Sequence, residues 1–261
     1  MDRDHWPRHA RQWALVGPPL RPSAEDVAFM EAAAAQAAGG AALVLGVTPE
    51  LVGMRWPAGV RVTAADRSRD VIDAVFAPAP HAEAVCADWR ALPAADGAYA
   101  IAVGDGSLSN LDFPGGYRAV AAELARVVDG PVVLRLFAAP ARAESLGAIA
   151  ADLGAGRIGS FHALKWRLAM AVQPPEANVR VSDIAAAFDE LVADRAALVA
   201  RTGWPRAVVD AIDVYRGSAV TYSFPTEAAA TAALAPHWRP VARHVPGYEL
   251  GARCPTIVLA R

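Results

Sequence analysis

Between Ala41 and Phe137 the chain alternates short aliphatic runs with amphipathic stretches, and this rhythm restricts the fold more than any other feature. Ala41 to Val47 is a continuous apolar run bounded by turn residues, the mark of a strand covered on both faces. Val60 to Ala65, Ala82 to Ala87, Ala98 to Val103 and Val132 to Phe137 read as further strands, with helical patterns at Ser68 to Ala77 and Tyr117 to Val128 among them. The alternation predicts an α/β fold: a doubly wound, Rossmann-like, mostly parallel sheet whose right-handed crossovers put helices on both faces.

The flanking segments follow other patterns. Trp6 to Ala14 reads as a short amphipathic helix broken by Gly17-Pro18-Pro19, and Ser23 is a suitable N-cap for a second helix ended by Gly39-Gly40. Residues 1–38 are therefore expected to form an N-terminal helical cap. From Ala141 to about Gly217 the strand signal lapses. Phe161, Leu164, Leu168 and Val172 share one helical face, and Ile184, Phe188, Leu191, Arg195 and Leu198 share another. Strand character returns at Ala219 to Phe224, Arg239 to Val245 and Thr256 to Ala260, with a helix opened by Pro225-Thr226-Glu227. The expected division is a core of residues 39–140 and 219–261 and a helical insertion of residues 141–218, forming one structural unit.

Composition excludes several classes of function. Lys and Arg number 25 against 27 Asp and Glu, so the net charge of −2 provides no field for a polyanion, and nucleic acid is not an expected partner. Cys86 and Cys254 are far apart and form no CxxC, which argues against a zinc ribbon or disulfide scaffold and fits a reducing cytoplasm. The charge-dense segment Met1 to Arg11 lacks the apolar core of an export signal, and no aliphatic run has membrane-spanning length, so no membrane partner is expected. His5 and His9 read as an exposed helix face, with no metal site expected. Lys165, the sole lysine, reads as a solvated charge, and Cys86 as a small core residue. Apolar helical faces leave the oligomeric state open.

In an open α/β sheet, ligands sit beyond the carboxyl ends of the strands, where strand order reverses. The loop after the first strand is Leu45-Gly46-Val47-Thr48-Pro49-Glu50, with Thr48 as candidate N-cap and Pro49 suited to the first helical position. Asp66 ends the second strand twenty positions after Gly46, where an acid typically takes a ribose diol. A dinucleotide pyrophosphate needs several glycines for close backbone approach, whereas this loop has one and carries Glu50, which repels a phosphate. A glycine-poor, acid-bearing loop conflicts much less with S-adenosylmethionine, which has no phosphate and bears a positive sulfonium.

With these residues in place, the chain resembles a class I S-adenosylmethionine-dependent methyltransferase over roughly Ala41 to Phe137 and the C-terminal strands. Leu43-Val44-Leu45-Gly46-Val47-Thr48 stands where that family has its glycine-rich first motif, and Thr63-Ala64-Ala65-Asp66-Arg67-Ser68 matches its acidic second-strand end. Cys86-Ala87-Asp88-Trp89-Arg90-Ala91-Leu92-Pro93 followed by Asp96-Gly97-Ala98-Tyr99 resembles the family's D-x-x-x-L-P…D-G-x-[FY]-D stretch. The resemblance implies S-adenosyl-L-methionine as cofactor, held by Leu45, Gly46, Val47 and Thr48, by Asp66, Arg67 and Ser68 at the ribose, and by Asp88 and the Trp89 amide at the adenine. Gly104, Asp105 and Gly106, after the fourth strand, face the transferable methyl in this reading. Val44 replaces the usual acid two residues before the first glycine, Thr48 and Glu50 replace the later glycines, and Ala100 replaces the Asp expected after Tyr99. Recognition of the methionyl group then passes to Asp105 or Glu50.

Methyl transfer from a sulfonium is an in-line displacement that needs alignment and desolvation more than acid–base groups. Asp105 is the candidate catalytic residue, and Trp6, Trp13, Tyr117, His162 and Trp166, with Arg167, are candidates for the acceptor pocket. The Asp/Asn-Pro-Pro-Tyr motif of nucleic-acid and protein amide methyltransferases is absent, which points to a small-molecule acceptor. Two alternatives stand beside this reading. One is a methyltransferase-like binding protein without turnover, motivated by Val44, Thr48, Glu50 and Ala100. The other is a nicotinamide-dependent oxidoreductase, opposed by the missing glycines and the lack of a Tyr-x-x-x-Lys pair.

Overall fold

The structure, a computed structural model, describes residues 8, 10, 12–35, 40–175 and 178–261. Its strands are β1 (Ala41–Leu45), β2 (Arg61–Asp66), β3 (Ala82–Cys86), β4 (Ile101–Asp105), β5 (Val132–Arg135), β6 (Val179–Arg180), β7 (Thr221–Tyr222), β8 (Arg239–His244) and β9 (Thr256–Ala260). Seven of them form one sheet in the order β3-β2-β1-β4-β5-β9-β8. The first five pair in parallel, and β9 runs antiparallel to both β5 and β8. The mostly parallel, doubly wound α/β architecture is thus the one the alternating pattern predicts.

Burial follows the pattern's logic. β5 is buried throughout, and β1 and β4 are buried except at one end, as continuous apolar runs between two helical layers must be. The edges differ: β3 and β8 stay largely accessible, and β8 carries Arg239, Pro240 and Arg243, groups that discourage further strand pairing. Cys86, expected in the core, is exposed because β3 is an edge strand, and its thiol donates to the Arg67 carbonyl at 3.4 Å.

The helices are α1 (Ala24–Ala34), α2 (Pro49–Val52), α3 (Arg69–Val75), α4 (Gly115–Val127), α5 (Leu146–Gly154), α6 (Phe161–Val172), α7 (Val181–Leu191), α8 (Arg195–Thr202), α9 (Arg206–Asp210) and α10 (Glu227–Leu234). α1 begins with a full capping box: the Ser23 hydroxyl accepts from the Asp26 amide, and the Asp26 carboxylate accepts from the Ser23 amide. α2 is a single turn whose expected cap, Thr48, makes no side-chain capping bond. The apolar face running from Ile184 to Leu198 belongs to two helices. Asp194 accepts from the Ala196 and Ala197 amides and starts α8 afresh, which turns the Arg195 guanidinium back over the Phe188 ring at 5.2 Å.

Two further expectations change. The strand anticipated over Ala219–Phe224 shrinks to β7, which pairs with β6 in a separate two-stranded ladder and does not join the main sheet. Of the first helix, Trp6 to Ala14, the structure describes Arg8 and Ala10, both helical, and from Trp13 a 3-10 turn, Trp13–Leu15; Trp6, His5 and His9 lie outside the described residues. After that turn the chain crosses the carboxyl ends of the strands as a strap. The Gly17 amide donates to His162 Nε2 at 3.1 Å, and Arg21 pairs with Glu50 at 2.5 Å. Phe161, Trp166, Phe188, Trp204, Tyr222 and Phe224 form an edge-to-face aromatic core within the region from α5 to β7. Among the described residues no helix is long and apolar enough to cross a membrane.

Because Ser23 caps α1 and Asp26 closes the box from a fully buried position, Ser23→Ala is expected to lower stability by about 1 kcal/mol, read as a lower urea midpoint with an unchanged m-value.

Candidate functional site

Strand order reverses between β1 and β4, and the loops leaving β1, β2 and β4 open a crevice there. Gly46 turns the chain out of β1 at φ +103°, a conformation that strains any other residue, and its amide donates to the Ala65 carbonyl at 2.8 Å. Trp89 Nε1 donates to the same carbonyl at 2.5 Å, which pins the indole beside the ends of β1 and β2. Asp66 accepts from the Ser68 amide through Oδ1 at 2.8 Å, and burial pushes its carboxyl above the usual range.

Two cavities share this region. An outer cleft of about 340 Å³ is walled by Asp66, Arg67, Ser68, Asp88 and Trp89, joined by Arg90, Asn110 and Leu111. An inner chamber of about 100 Å³ touches Leu45, Gly46, Val47, Thr48, Asp66, Trp89, Asp105 and Gly106. Its far side is Trp13, Val16 and Leu20 of the strap with Phe137, Trp166, Tyr215 and Tyr222. The expected cofactor residues thus converge, with Gly104 as the exception: it is packed within β4, where a Cβ would come within 2.9 Å of Ser107 Oγ. Asp88 lies at the mouth of the outer cleft, gripped through both oxygens by Arg90, whose hydrogen bonds pull its carboxyl down to about 2.

The two acids expected beside a methionyl ammonium are already paired. Asp105 Oδ1 accepts from Arg135 Nε at 2.5 Å, and the two side chains are 2% and 0% exposed. Burial pushes the Asp105 carboxyl up and Arg135 opposes it, while Asp105 holds Arg135 in its charged form. Arg135 Nη1 also donates to the Pro19 carbonyl and to the Tyr248 hydroxyl, each at 2.9 Å. Glu50 is taken by Arg21. Asp105 is therefore first a structural anchor at the chamber floor, a correction to its expected role as a free base. Gly106 at φ +60° completes that turn, since a Cβ there would run into the Phe137 ring.

The acceptor-pocket candidates separate in the same way. Trp13 and Trp166 line the chamber. Tyr117 does not: it is 2% exposed in the core under α4, and its hydroxyl meets Ser223 Oγ at 3.3 Å. His162 is spent tying the strap to α6, and burial lowers it to about 4, so it is neutral there. Arg167 is held by Glu144 and Asp152, away from the chamber. Lys165 overturns its expected solvated position. It is 3% exposed, with Nζ 5.0 Å from the Tyr215 ring centre and 5.8 Å from that of Trp166, and burial alone lowers it to about 7. Sequence reasoning missed Arg135, Phe137, Tyr215, Tyr222 and Tyr248. Arg135 carried a readable signal, a charge inside the aliphatic run Val132 to Phe137, which only a buried partner permits. Among the described residues no group of three or more His, Cys, Asp or Glu could hold a metal ion.

Removing either partner of the Arg135–Asp105 pair leaves an uncompensated buried charge, so Asp105→Ala is expected to cost about 3–5 kcal/mol of folding stability in a denaturant titration. Lys165 works in the opposite sense. Its folded value lies below the unfolded one, so the fold carries a penalty that is full below pH 7 and disappears as pH approaches the ordinary lysine value of 10.5. Lys165→Met is therefore expected to raise the melting temperature clearly below neutral pH and hardly at all in strongly alkaline buffer, by calorimetry across pH.

No protein-family model matches the sequence, and no curated protein matches it. Solved structures do match in shape. A Rhodobacter sphaeroides protein described as a zinc-dependent alcohol dehydrogenase superposes with a TM-score of 0.57 at 14% identity, covering 97% of each chain. A Nostoc punctiforme protein described as an O-methyltransferase gives 0.52 at 10% identity over 97% of this chain and 59% of its own. A chain from the complex between the Haloferax volcanii Trm112 methyltransferase activator and a methyltransferase gives 0.50 at 11% identity, covering 99% and 96%. At such identities the likeness concerns architecture, and the chain has the Rossmann-like fold of the class I S-adenosylmethionine-dependent methyltransferases.

Proposed function

We propose that this chain is an S-adenosylmethionine-dependent methyltransferase acting on a small molecule. The observation that carries the reading is the position of Asp66, which borders both the outer cleft and the inner chamber. The outer cleft has the size and polar groups for a nucleoside: Asp66 to accept from the ribose diol, and the Trp89 ring with Asp88, whose carboxylate Arg90 already holds, at the adenine edge. When bound, the cofactor supplies an electrophilic methyl on a positively charged sulfur that leaves as a neutral thioether. The protein's part is to hold and enclose. Gly46 lets the loop turn close to the ligand, and the strap with Trp166, Tyr215 and Tyr222 lines the far side of the chamber, where largely apolar side chains favour desolvation. Roofed on that side and only about 100 Å³ in volume, the chamber favours a small acceptor over a protein or nucleic-acid substrate. The O-methyltransferase and methyltransferase descriptions among its structural likenesses agree with this reading.

A second reading, binding without turnover, draws on one observation: Glu50 and Asp105 are both engaged by arginines, so neither acid is free for the methionyl ammonium. Calorimetry separates these readings from an unrelated ligand. S-Adenosylhomocysteine is expected to bind, and Asp66→Ala to weaken it about tenfold or more by removing the diol contact. Because burial raises the Asp66 carboxyl, affinity should also fall on the acid side sooner than an ordinary aspartate would allow. Absence of wild-type binding defeats both readings, and binding without methylation of any small acceptor leaves the second.

A further inference from the structure

A third cavity, of about 350 Å³, shares no lining residue with the inner chamber or the outer cleft. It opens between the loop after β5, the C-terminal end of α6 and the connection from β7 to α10. Its walls are mostly apolar, Pro140, Pro174 and Pro225 with Phe113, Met170 and Phe224. Phe224 also meets Trp166 edge to face at 5.4 Å, which sets the cavity behind one wall of the chamber. The uncharged polar groups of the lining are already spent. Gln173 exchanges two hydrogen bonds with the Phe224 backbone, the Ser223 hydroxyl donates to the Leu111 carbonyl, and the Thr226 hydroxyl accepts from the Ala229 amide.

Arg253, which borders the cavity from the 3-10 turn Gly251–Arg253, is the exception. Its side chain is only 16% exposed, yet Nη2 alone reaches an oxygen, Glu144 Oε2 at 2.9 Å. Nη1 lies 3.8 Å from the Met170 thioether, a weak acceptor, and Nε has no partner among the described residues. The Glu144 carboxylate is itself shared, because Arg167 takes both of its oxygens. The pairs run Arg253, Glu144, Arg167, Asp152, Arg157, three guanidiniums against two carboxylates. One positive charge is left over: Arg157 ends the row in solvent, and Arg253 ends it at the cavity. The carboxylates next in sequence to the lining are committed elsewhere, Glu227 to Arg243 and Asp112 to Asn178.

We propose that this cavity binds a small monocarboxylate with an apolar body, its carboxylate on Arg253 and its body between the prolines, Phe113 and Met170. A guanidinium presents its N–H groups in a planar fork that matches a carboxylate, and partial burial makes such a charge-assisted pair stronger than it is in open water. The apolar walls add the burial of the ligand's body. A neutral ligand of the same shape would cover Nη1 and Nε without giving them an oxygen, and a carboxylate without a body would leave the walls uncovered. Occupancy of this site is independent of the methyl-transfer reading.

Titration calorimetry of the full-length protein with hexanoate provides the test, with hexanol and acetate as its two halves. Hexanoate is expected to bind saturably at one site per chain, and hexanol and acetate at least about tenfold more weakly. Arg253→Met is expected to weaken hexanoate by at least about tenfold. Because Glu144 also loses a partner in that variant, Ala143→Trp serves as the second: Ala143 is an exposed lining residue, so an indole there is expected to fill the cavity and abolish binding with the melting temperature unchanged. Absence of saturable hexanoate binding overturns the proposal, as does hexanol binding as tightly as hexanoate, or hexanoate binding that survives either substitution. Calorimetry with S-adenosylhomocysteine on the same sample keeps the two ideas apart. Hexanoate binding without it retains this site and removes the methyltransferase, and the reverse removes the site alone.

Discussion

A guanidinium with no exposed surface needs partners, and Arg135 on β5 obtains them from three other parts of the chain, only Nη2 having no hydrogen-bond partner among the described residues. It sits on β5, takes the carboxylate of Asp105 from the end of β4, the Pro19 carbonyl from the strap and the Tyr248 hydroxyl from the loop before β9. The strap has few other reasons to lie across the strand ends, since it contains no strand and only one short turn before α1. Its path is set by polar groups that must be satisfied: Arg135 at Pro19, His162 at Gly17 and Glu50 at Arg21. The chamber's roof therefore depends on a buried charge beneath it.

That arrangement changes the electrostatics of the crevice. Two acids that the sequence leaves free, Glu50 and Asp105, are neutralised by arginines, while Asp66 keeps its place at the junction of the cavities. Around the chamber, cations lie on aromatic faces: Arg21 over Trp13 at 5.1 Å, Arg135 over Phe137 at 5.1 Å, and Lys165 over Tyr215 at 5.0 Å. Ring faces attract positive charge without the solvation a carboxylate demands, so they can wall an apolar space that carboxylates would open to water. Recognition in the chamber is thereby shifted towards shape and aromatic contact.

The parallel core was legible because its signal is local. A strand buried on both faces must be continuously apolar, and β1, β4 and β5 are. The loop positions followed from the strands, so Gly46, Asp66 and Asp88 could be placed on the crevice from spacing and resemblance. What the sequence concealed was pairing. Nothing adjacent to Asp105 announces Arg135 thirty residues on, and a lone Asp between glycines reads equally as a solvated turn. Lys165 was misplaced for a related reason: on helix α6 it neighbours Arg167 and follows His162, which looks like a polar face, yet Lys165 and Arg167 are both buried because aromatic and acidic residues from other elements cover them. The β6–β7 ladder was likewise hidden, since two-residue strands carry no periodicity to read.

The chamber's walls show why its contents are harder to infer than its position. Trp13 comes from the strap, Phe137 from the end of the core strand region, and Trp166, Tyr215 and Tyr222 from three separate elements of the helical region. Each is aromatic for a reason that exists only in the assembled fold, and polar contacts help to join the parts, among them Gly17 to His162, Arg8 to the Val214 carbonyl, and Arg253 of the C-terminal segment to Glu144, which also holds Arg167. A loss at any of these joints would shift one wall against the others by enough to matter, because a space of about 100 Å³ tolerates little displacement before its shape no longer selects. The parallel sheet fixes where chemistry takes place, whereas the strap and the helical region fix on what.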